Sequence, residues 1–461
     1  MCLDAVLSRF VEQSPVTVMA RVVLDRALEP GWIDGLFDTH RQRQYKRELL
    51  FSTAVELMSL VSLGLQPSVH AAVQARKGLS VSLAALYDKI NRMEPGLARA
   101  LVAGSAERLA PVLKEVRGKQ EPFCPGYRVR VLDGSHLPAS EKRLAALRAL
   151  RSGPLPGQSL VVYDPDTGIV VDLVPCEDGY TQERALMPVL LGTAKPGELW
   201  IADRNFSTAG ILAGWHQQGA AFVVREHGIT PNPTVLGKSH KRGRVETGVV
   251  YEQAVEIEAA GGDVIQLRRI ELHLDQPMED DATVIRILSN LPASLNATRI
   301  ARLYRRRWSI ERMFQWLESV LQSEIRTLGY PRAALFAFSV AILAFNVLST
   351  IRAAIESEHA IEPEDEKARL SLYYVAGEIR ASYTGMTIAV PGEAWRGYQE
   401  LSPKGLGVAL LRLASYVDLS RFRTHPRGPK KPVQKSGPSG KARPHVSTAR
   451  ILAKRRAVPR P

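Results

Sequence analysis

The chain is poor in cysteine. Cys2, Cys124 and Cys176 lie far apart in its 461 residues and form no Cys-x2-Cys pair. That scarcity excludes a disulfide framework and a zinc ribbon, and fits a reducing cytoplasm. No Walker-type phosphate loop occurs, so ATP dependence is not expected. No internal repeat is visible, which excludes solenoids and propellers. Long uncharged runs are equally scarce. Residues 333–351 (AALFAFSVAILAFNVLSTI) come close to the length of a membrane span. The run stands alone and contains Ser339, Asn346, Ser349 and Thr350, so a buried core helix is expected and no membrane partner. The opening MCLDAVLSRF places Asp4 and Arg9 inside any apolar run, so no signal peptide is expected. No Ser/His/Asp or Cys/His constellation stands out. His136 and His227 read as structural residues, although His136 is close enough in sequence to Asp133 to reach a phosphate.

Acidic residues are missing from one stretch. The net charge is +14, and residues 421–461 hold 13 Lys and Arg with no Asp or Glu, so the rest of the chain is almost neutral. That tail is rich in Pro, Gly and Ser and poor in large apolar residues. It is expected to be disordered when free. A basic arm suits a polyanion, with Lys430 and Lys431 as candidate phosphate contacts. A solubilising tail with only non-specific affinity is the other reading.

What remains is an ordinary soluble composition with length for two or three domains. Residues 1–120 read as a helical N-terminal unit, either a DNA-reading helix-turn-helix variant or a plain bundle. From Tyr127 the apolar period falls from 3.6 to 2. YRVRVLD (127–133) reads as a strand and SLVVYDPDTGIVVDLVP (159–175) as a hairpin. TQERALMPVLLG (181–192) follows as a helix, ELWIAD (198–203) as a strand, STAGILAGWHQQG (207–219) as a helix and AAFVVRE (220–226) as a strand. This is an α/β pattern around a mixed sheet. Residues 227–282 break it with a β-rich insertion carrying the basic loop GKSHKRGR (237–244). Residues 283–292 return to the main sheet. Helices then cover roughly 296–326 and 331–355, followed by a helical region to 420.

Two apolar strands end in aspartate, Asp133 in VLDGSHL and Asp203 in WIADRNF. Strand ends present side chains to ligands in α/β sheets, although an aspartate there is also a good turn former. A third acid would complete a site for a hard cation such as Mg²⁺, which prefers oxygen ligands. The helix IARLYRRRWSIERMFQWLESVLQ (300–322) sets Tyr304, Arg307, Glu311 and Glu318 on one face beside an apolar stripe. Alone, Arg307 and Glu311 read as an ordinary i,i+4 ion pair.

Taken together, these segments resemble the DDE transposases of bacterial insertion sequences, in particular the insertion-sequence-four family. Tyr304, Arg307 and Glu311 match that family's Tyr-x2-Arg-x3-Glu-x6-Lys signature, and VLDGSHL and IADRNF resemble the segments that carry its two aspartates. The likeness runs over roughly 127–350. One position departs: Glu318 stands where the signature has lysine. The resemblance implies a ribonuclease-H-like catalytic core over 121–226 and 283–355. It implies Asp133, Asp203 and Glu311 as catalytic residues and ligands of Mg²⁺, with Mn²⁺ as substitute. It also implies cleavage and strand transfer of double-stranded DNA at transposon ends and target, on a homodimer. Tyr304 and Arg307 would grip a phosphate, with Lys238, Lys241 and Arg242 as further DNA contacts. An exposed Trp would stack on a flipped base, with Trp200, Trp215, Trp308 and Trp316 all open. Two alternatives stand beside this reading: an inactive or repurposed transposase that only binds DNA, and a metal-dependent nuclease of the same fold. The segment that reads end sequence stays open among the N-terminal helices, 237–244 and the tail.

Overall fold

The computed structural model describes residues 5–45, 48–76, 78–79, 81–118, 120–137, 140–259, 262–278, 281–323, 325–361, 370–424 and 445–457. Its strands are β1 (Arg128–His136), β2 (Gly153–Leu155), β3 (Gln158–Asp164), β4 (Ile169–Cys176), β5 (Glu198–Ala202), β6 (Ala221–Arg225), β7 (Thr234–Val235), β8 (His240–Val245), β9 (Gly248–Glu258), β10 (Val264–Leu274), β11 (Val284–Ser289) and β12 (His445–Ser447). The main sheet runs β4-β3-β1-β5-β6-β11-β10-β9-β7, with β8 also paired to β9. β1, β5 and β6 are parallel, and their neighbours β3 and β11 join antiparallel. The β-rich residues after 227 therefore lengthen the same sheet beyond β11.

Local chemistry explains the central elements. Between β3 and β4, Asp164 Oδ1 accepts the Asp166 and Thr167 N–H groups at 3.0 and 3.1 Å, and Gly168 takes φ +74° to close the turn. β3 is buried along its whole length because the sheet is covered on both faces. Leu160 and Val162 pack towards Trp200, Trp215 and Phe222 beneath helix Ala209–Gln217. Val161 and Tyr163 point the other way, into the main core, which is where the long helices lie.

On that second face Pro95–Arg117 packs against Pro331–Glu358 and β4. One apolar core runs from Leu7 through these helices to Phe422, so the N-terminal helices share their interior with the sheet. Pro331–Glu358 is long and apolar enough to cross a membrane, yet nearly all of its apolar stretch is buried inside the protein. Ser339 and Thr350 donate to carbonyls one turn back in the same helix, and Asn346 reaches across to the sheet. Asn346, fully buried, accepts the Val170 N–H at 2.8 Å and donates to the Val170 carbonyl at 2.9 Å, tying helix to β4.

Two segments differ from expectation. The helix anticipated over 296–326 is two helices, Ala297–Arg305 and Trp308–Ser319. The chain tightens between them, with i→i−3 bonds from Arg307, Ser309 and Ile310 to Tyr304, Arg306 and Arg307. The tail also departs from full disorder. β12 pairs in parallel with β2, and helix Thr448–Ala457 follows it. Asp178 supplies the physical reason: it accepts from Ser447 Oγ at 2.6 Å and Arg450 Nε at 2.7 Å. Tyr180 adds a hydroxyl bond to the His445 carbonyl and a ring under the Arg450 guanidinium. Composition gave no sign of these fixed partners. Lys430 and Lys431 lie outside the described residues.

Candidate active site

The parallel pairing of β1 with β5 sets Val131 opposite Ile201. Asp133 and Asp203 each lie two residues further on, so both carboxylates reach the same end of the sheet. β1 itself continues past Asp133 to His136 through its pairing with β3, whereas β5 stops at Ala202. Asp203 begins a short 3-10 turn, Arg204–Phe206, and its Oδ1 accepts the Asn205 N–H at 2.8 Å. Asp133 Oδ1 accepts the N–H of Gly134 at 3.0 Å.

Glu311 sits in the first turn of Trp308–Ser319. Arg307, at the joint between the two helices, links it to the strand end. Its Nη1 donates to Asp133 Oδ2 at 3.1 Å and its Nη2 to Glu311 Oε1 at 2.5 Å. Tyr304 is buried close to the Arg307 guanidinium. Trp308, the next residue after Arg307, is 56% exposed, whereas Trp200 and Trp215 are buried core residues. Trp316 packs beneath the Arg352 guanidinium. Of the four tryptophans, Trp308 alone is open to solvent in this way. Glu318 is exposed on the same helix.

The sequence did not point to Glu183. It opens the 3-10 turn Glu183–Leu186, and its Oε2 accepts from Asn205 Nδ2 at 2.6 Å. Its other oxygen lies against Gly134, where a Cβ would overlap it. A glycine inside a strand often marks such a close approach, and that was the available signal.

Electrostatics follow from this crowding. Burial, with the negative charges of Asp203 and Glu183, pushes the Asp133 carboxyl up to about 7 against the opposing pull of Arg307 and the Gly134 N–H. Burial works against the Arg307 charge too, but Tyr304, Asp133 and Glu311 outweigh it and hold the guanidinium above its ordinary value. Burial pushes the Tyr304 hydroxyl up.

The donor set is all carboxylate oxygen, the chemistry that hard divalent cations select. The cradle over Gly134 brings one more such oxygen to the end of β1. Among the described residues no three His, Cys, Asp or Glu side chains stand at metal-binding spacing. The Arg307 guanidinium lies between Asp133 and Glu311 and pairs with both.

The other candidate DNA contacts lie on separate elements. Lys238, Lys241 and Arg242 are exposed on β8 and the loop before it, and Arg242 pairs with Glu252 at 2.8 Å. His136 is exposed at the end of β1, and His227 Nδ1 accepts the Ile229 N–H.

Residues 125–347, just under half of the chain, match a family model described as the transposase DDE domain. The match contains Asp133, Asp203 and Glu311, together with every strand from β1 to β11. No curated protein matches the chain. Through this segment the chain is similar to DDE transposases, enzymes that cleave nucleic acid and have DNA as partner.

Proposed function

We propose that the chain is a transposase of the insertion-sequence-four type that cuts DNA at transposon ends and joins it to a target. The observation that carries this reading is the placement of Asp133 and Asp203 at one end of two parallel strands, with Arg307 tying Glu311 to Asp133, all inside the matched segment. The strand order β4-β3-β1-β5-β6, with three parallel strands flanked by an antiparallel pair, supports a ribonuclease-H-like core over 121–226 and 283–355. Residues 1–120 serve as the helical DNA-binding part, 227–282 as the insertion, and 356–420 as a helical C-terminal region. The protein acts as a homodimer on paired ends.

Asp133, Asp203 and Glu311 are the residues that hold Mg²⁺, with Mn²⁺ as substitute. Bound divalent ions supply charge stabilisation to the attacking and leaving oxygens of an in-line phosphoryl transfer. The chain's own groups do the rest. Arg307 exchanges its carboxylate partners for a DNA phosphate, and Tyr304 keeps it aimed. Trp308 offers an exposed ring on which an unpaired base can stack. Lys238, Lys241, Arg242, Lys430 and Lys431 contact backbone phosphates, which makes binding salt-dependent.

The test is to incubate the protein and Mg²⁺ with a plasmid carrying its gene and both natural flanks, beside an Asp203→Ala variant. Defined cuts at the flanks that vanish in the variant are expected. Binding to the flanks without cutting by either protein would instead assign a DNA-binding role. Cutting with no preference for the flanks would assign a nuclease.

A further inference from the structure

The C-terminal helix Thr448–Ala457 is held at a definite place on the fold. β12 runs parallel to β2 and sets Ser447 beside Leu155. Asp178 accepts from Ser447 Oγ and Arg450 Nε, and the Tyr180 hydroxyl donates to the His445 carbonyl. Thr448, which opens the helix, is fully buried. Three residues after Leu155 comes Gln158, the start of β3, which pairs with His136 at the end of β1. Asp133 lies three residues back along β1. The helix therefore starts within roughly 30 Å of Asp133, at the end of the sheet that carries the candidate site.

The anchor uses one cation and leaves three. Arg450 pairs with Asp178 and covers the Tyr180 ring. Lys454, Arg455 and Arg456 follow in the last turn, all exposed, and none of them makes an ion pair among the described residues. The helix has no acidic residue to neutralise them. Its large apolar residues, Ile451 and Leu452, are half-buried, so its open surface is cationic. Three cations on a helix fixed beside a phosphodiester-cutting site fit the regularly spaced phosphates of a duplex. A tail kept only for solubility needs the charge but not the docking. Basic residues in a last turn also favour the helix itself, so loss of charge has to be separated from loss of helix.

We propose that the docked C-terminal helix is a phosphate-binding arm for duplex DNA, with Lys454, Arg455 and Arg456 holding the backbone roughly one helical turn from the phosphodiester at the site. This rests on the transposase reading for the site itself. It assigns Asp178 and Tyr180 as positioning residues, because they fix where along the duplex the arm makes its contacts.

The test measures binding of the full-length protein, without divalent metal, to duplexes of its natural flanks and to an unrelated duplex of equal length over a range of salt. The triple variant Lys454→Ala, Arg455→Ala, Arg456→Ala removes the charge and keeps good helix formers, and amide exchange over 445–457 checks that its helix stays docked. It is expected to bind both duplexes about tenfold more weakly, with a slope of log affinity against log salt smaller by about two to three. Hydroxyl-radical footprints of the parent on the flanks should show protection about ten base pairs from the transposon end that the triple variant lacks. Asp178→Ala keeps every cation of the tail but frees the helix from its place, so the salt slope should stay while that protection spreads out and weakens. Parent-like affinity and slope in the docked triple variant overturn the inference, and so does a parent-like footprint in Asp178→Ala. In either case preference of the parent for its flanks leaves the transposase reading standing. A parent with no such preference removes that reading, and the salt slopes on the unrelated duplex still decide the arm.

Discussion

At Asp133 burial and two neighbouring carboxylates oppose ionisation, and Arg307 favours it. The sign of the consequence can be worked out. Well below pH 3.8 Asp133 is neutral in both the folded and the unfolded chain. Between its ordinary value of 3.8 and its folded value of about 7, the folded chain keeps a proton that the unfolded chain has released. Stability therefore falls as pH rises through that window. Asp133→Asn removes this dependence, so the melting temperature of the variant should gain on the parent steadily from pH 4 to 7. A difference that stays flat or narrows would refute the account of Asp133. Arg307 allows a second test. Arg307→Ala leaves Asp133 and Glu311 without their shared cation. The metal-free protein should lose roughly 2–3 kcal/mol, below the cost for a fully buried pair because Glu311 is about one-third exposed. Mn²⁺ should then raise the variant's melting temperature more than the parent's, since no guanidinium competes for the two carboxylates. Equal shifts would mean that Arg307 does not stand in the cation's place. Asp133 and Asp203 stood out in the sequence because they follow apolar strands, whereas Glu311 stood out only through the resemblance of its helix to the Tyr-x2-Arg-x3-Glu signature. Glu183 did not stand out, because its position depends on a contact between distant segments, hinted at only by Gly134.

Elements were legible where their chemistry is local. The DPDTG turn and the strand ending at Ala202 both follow from neighbouring residues. The docking of β12 depends on distant partners, Asp178 and Tyr180, and local pattern carried no trace of it. Pro331–Glu358 lies between the two cases. Its polar residues argued for a core helix, and Asn346 shows what one of them does there. Asn346→Ala would leave the buried N–H and C=O of Val170 without partners, at a cost of about 2–4 kcal/mol in chemical denaturation. A loss under about 1 kcal/mol would mean the backbone finds other partners. For the tail, Asp178→Ala removes the bonds to Ser447 and Arg450. Amide exchange over 445–457 should accelerate while the global melting temperature hardly moves. Unchanged protection there would show that β2 alone holds the strand.

Across the whole molecule, the excess positive charge gathers after residue 420, while the candidate site is acidic. The two suit different parts of one substrate: basic segments attract the phosphate backbone, and the carboxylates need cations before a phosphate can approach. The order of strands and helices after Tyr127, and the helical stretches before and after them, could be read from apolar period. The continuity of one sheet through the insertion, and of one core through the N-terminal helices, could not. The claim that most needs testing is that the strand-end aspartates ligate a divalent cation during DNA cleavage. Asp203→Cys replaces a hard oxygen with a softer sulfur, which Mg²⁺ binds poorly and Mn²⁺ tolerates better. Cleavage of the natural flanks should be lost in Mg²⁺ and partly restored in Mn²⁺, while the parent cuts in both. Parent-like cleavage by Asp203→Cys in Mg²⁺ would contradict the account.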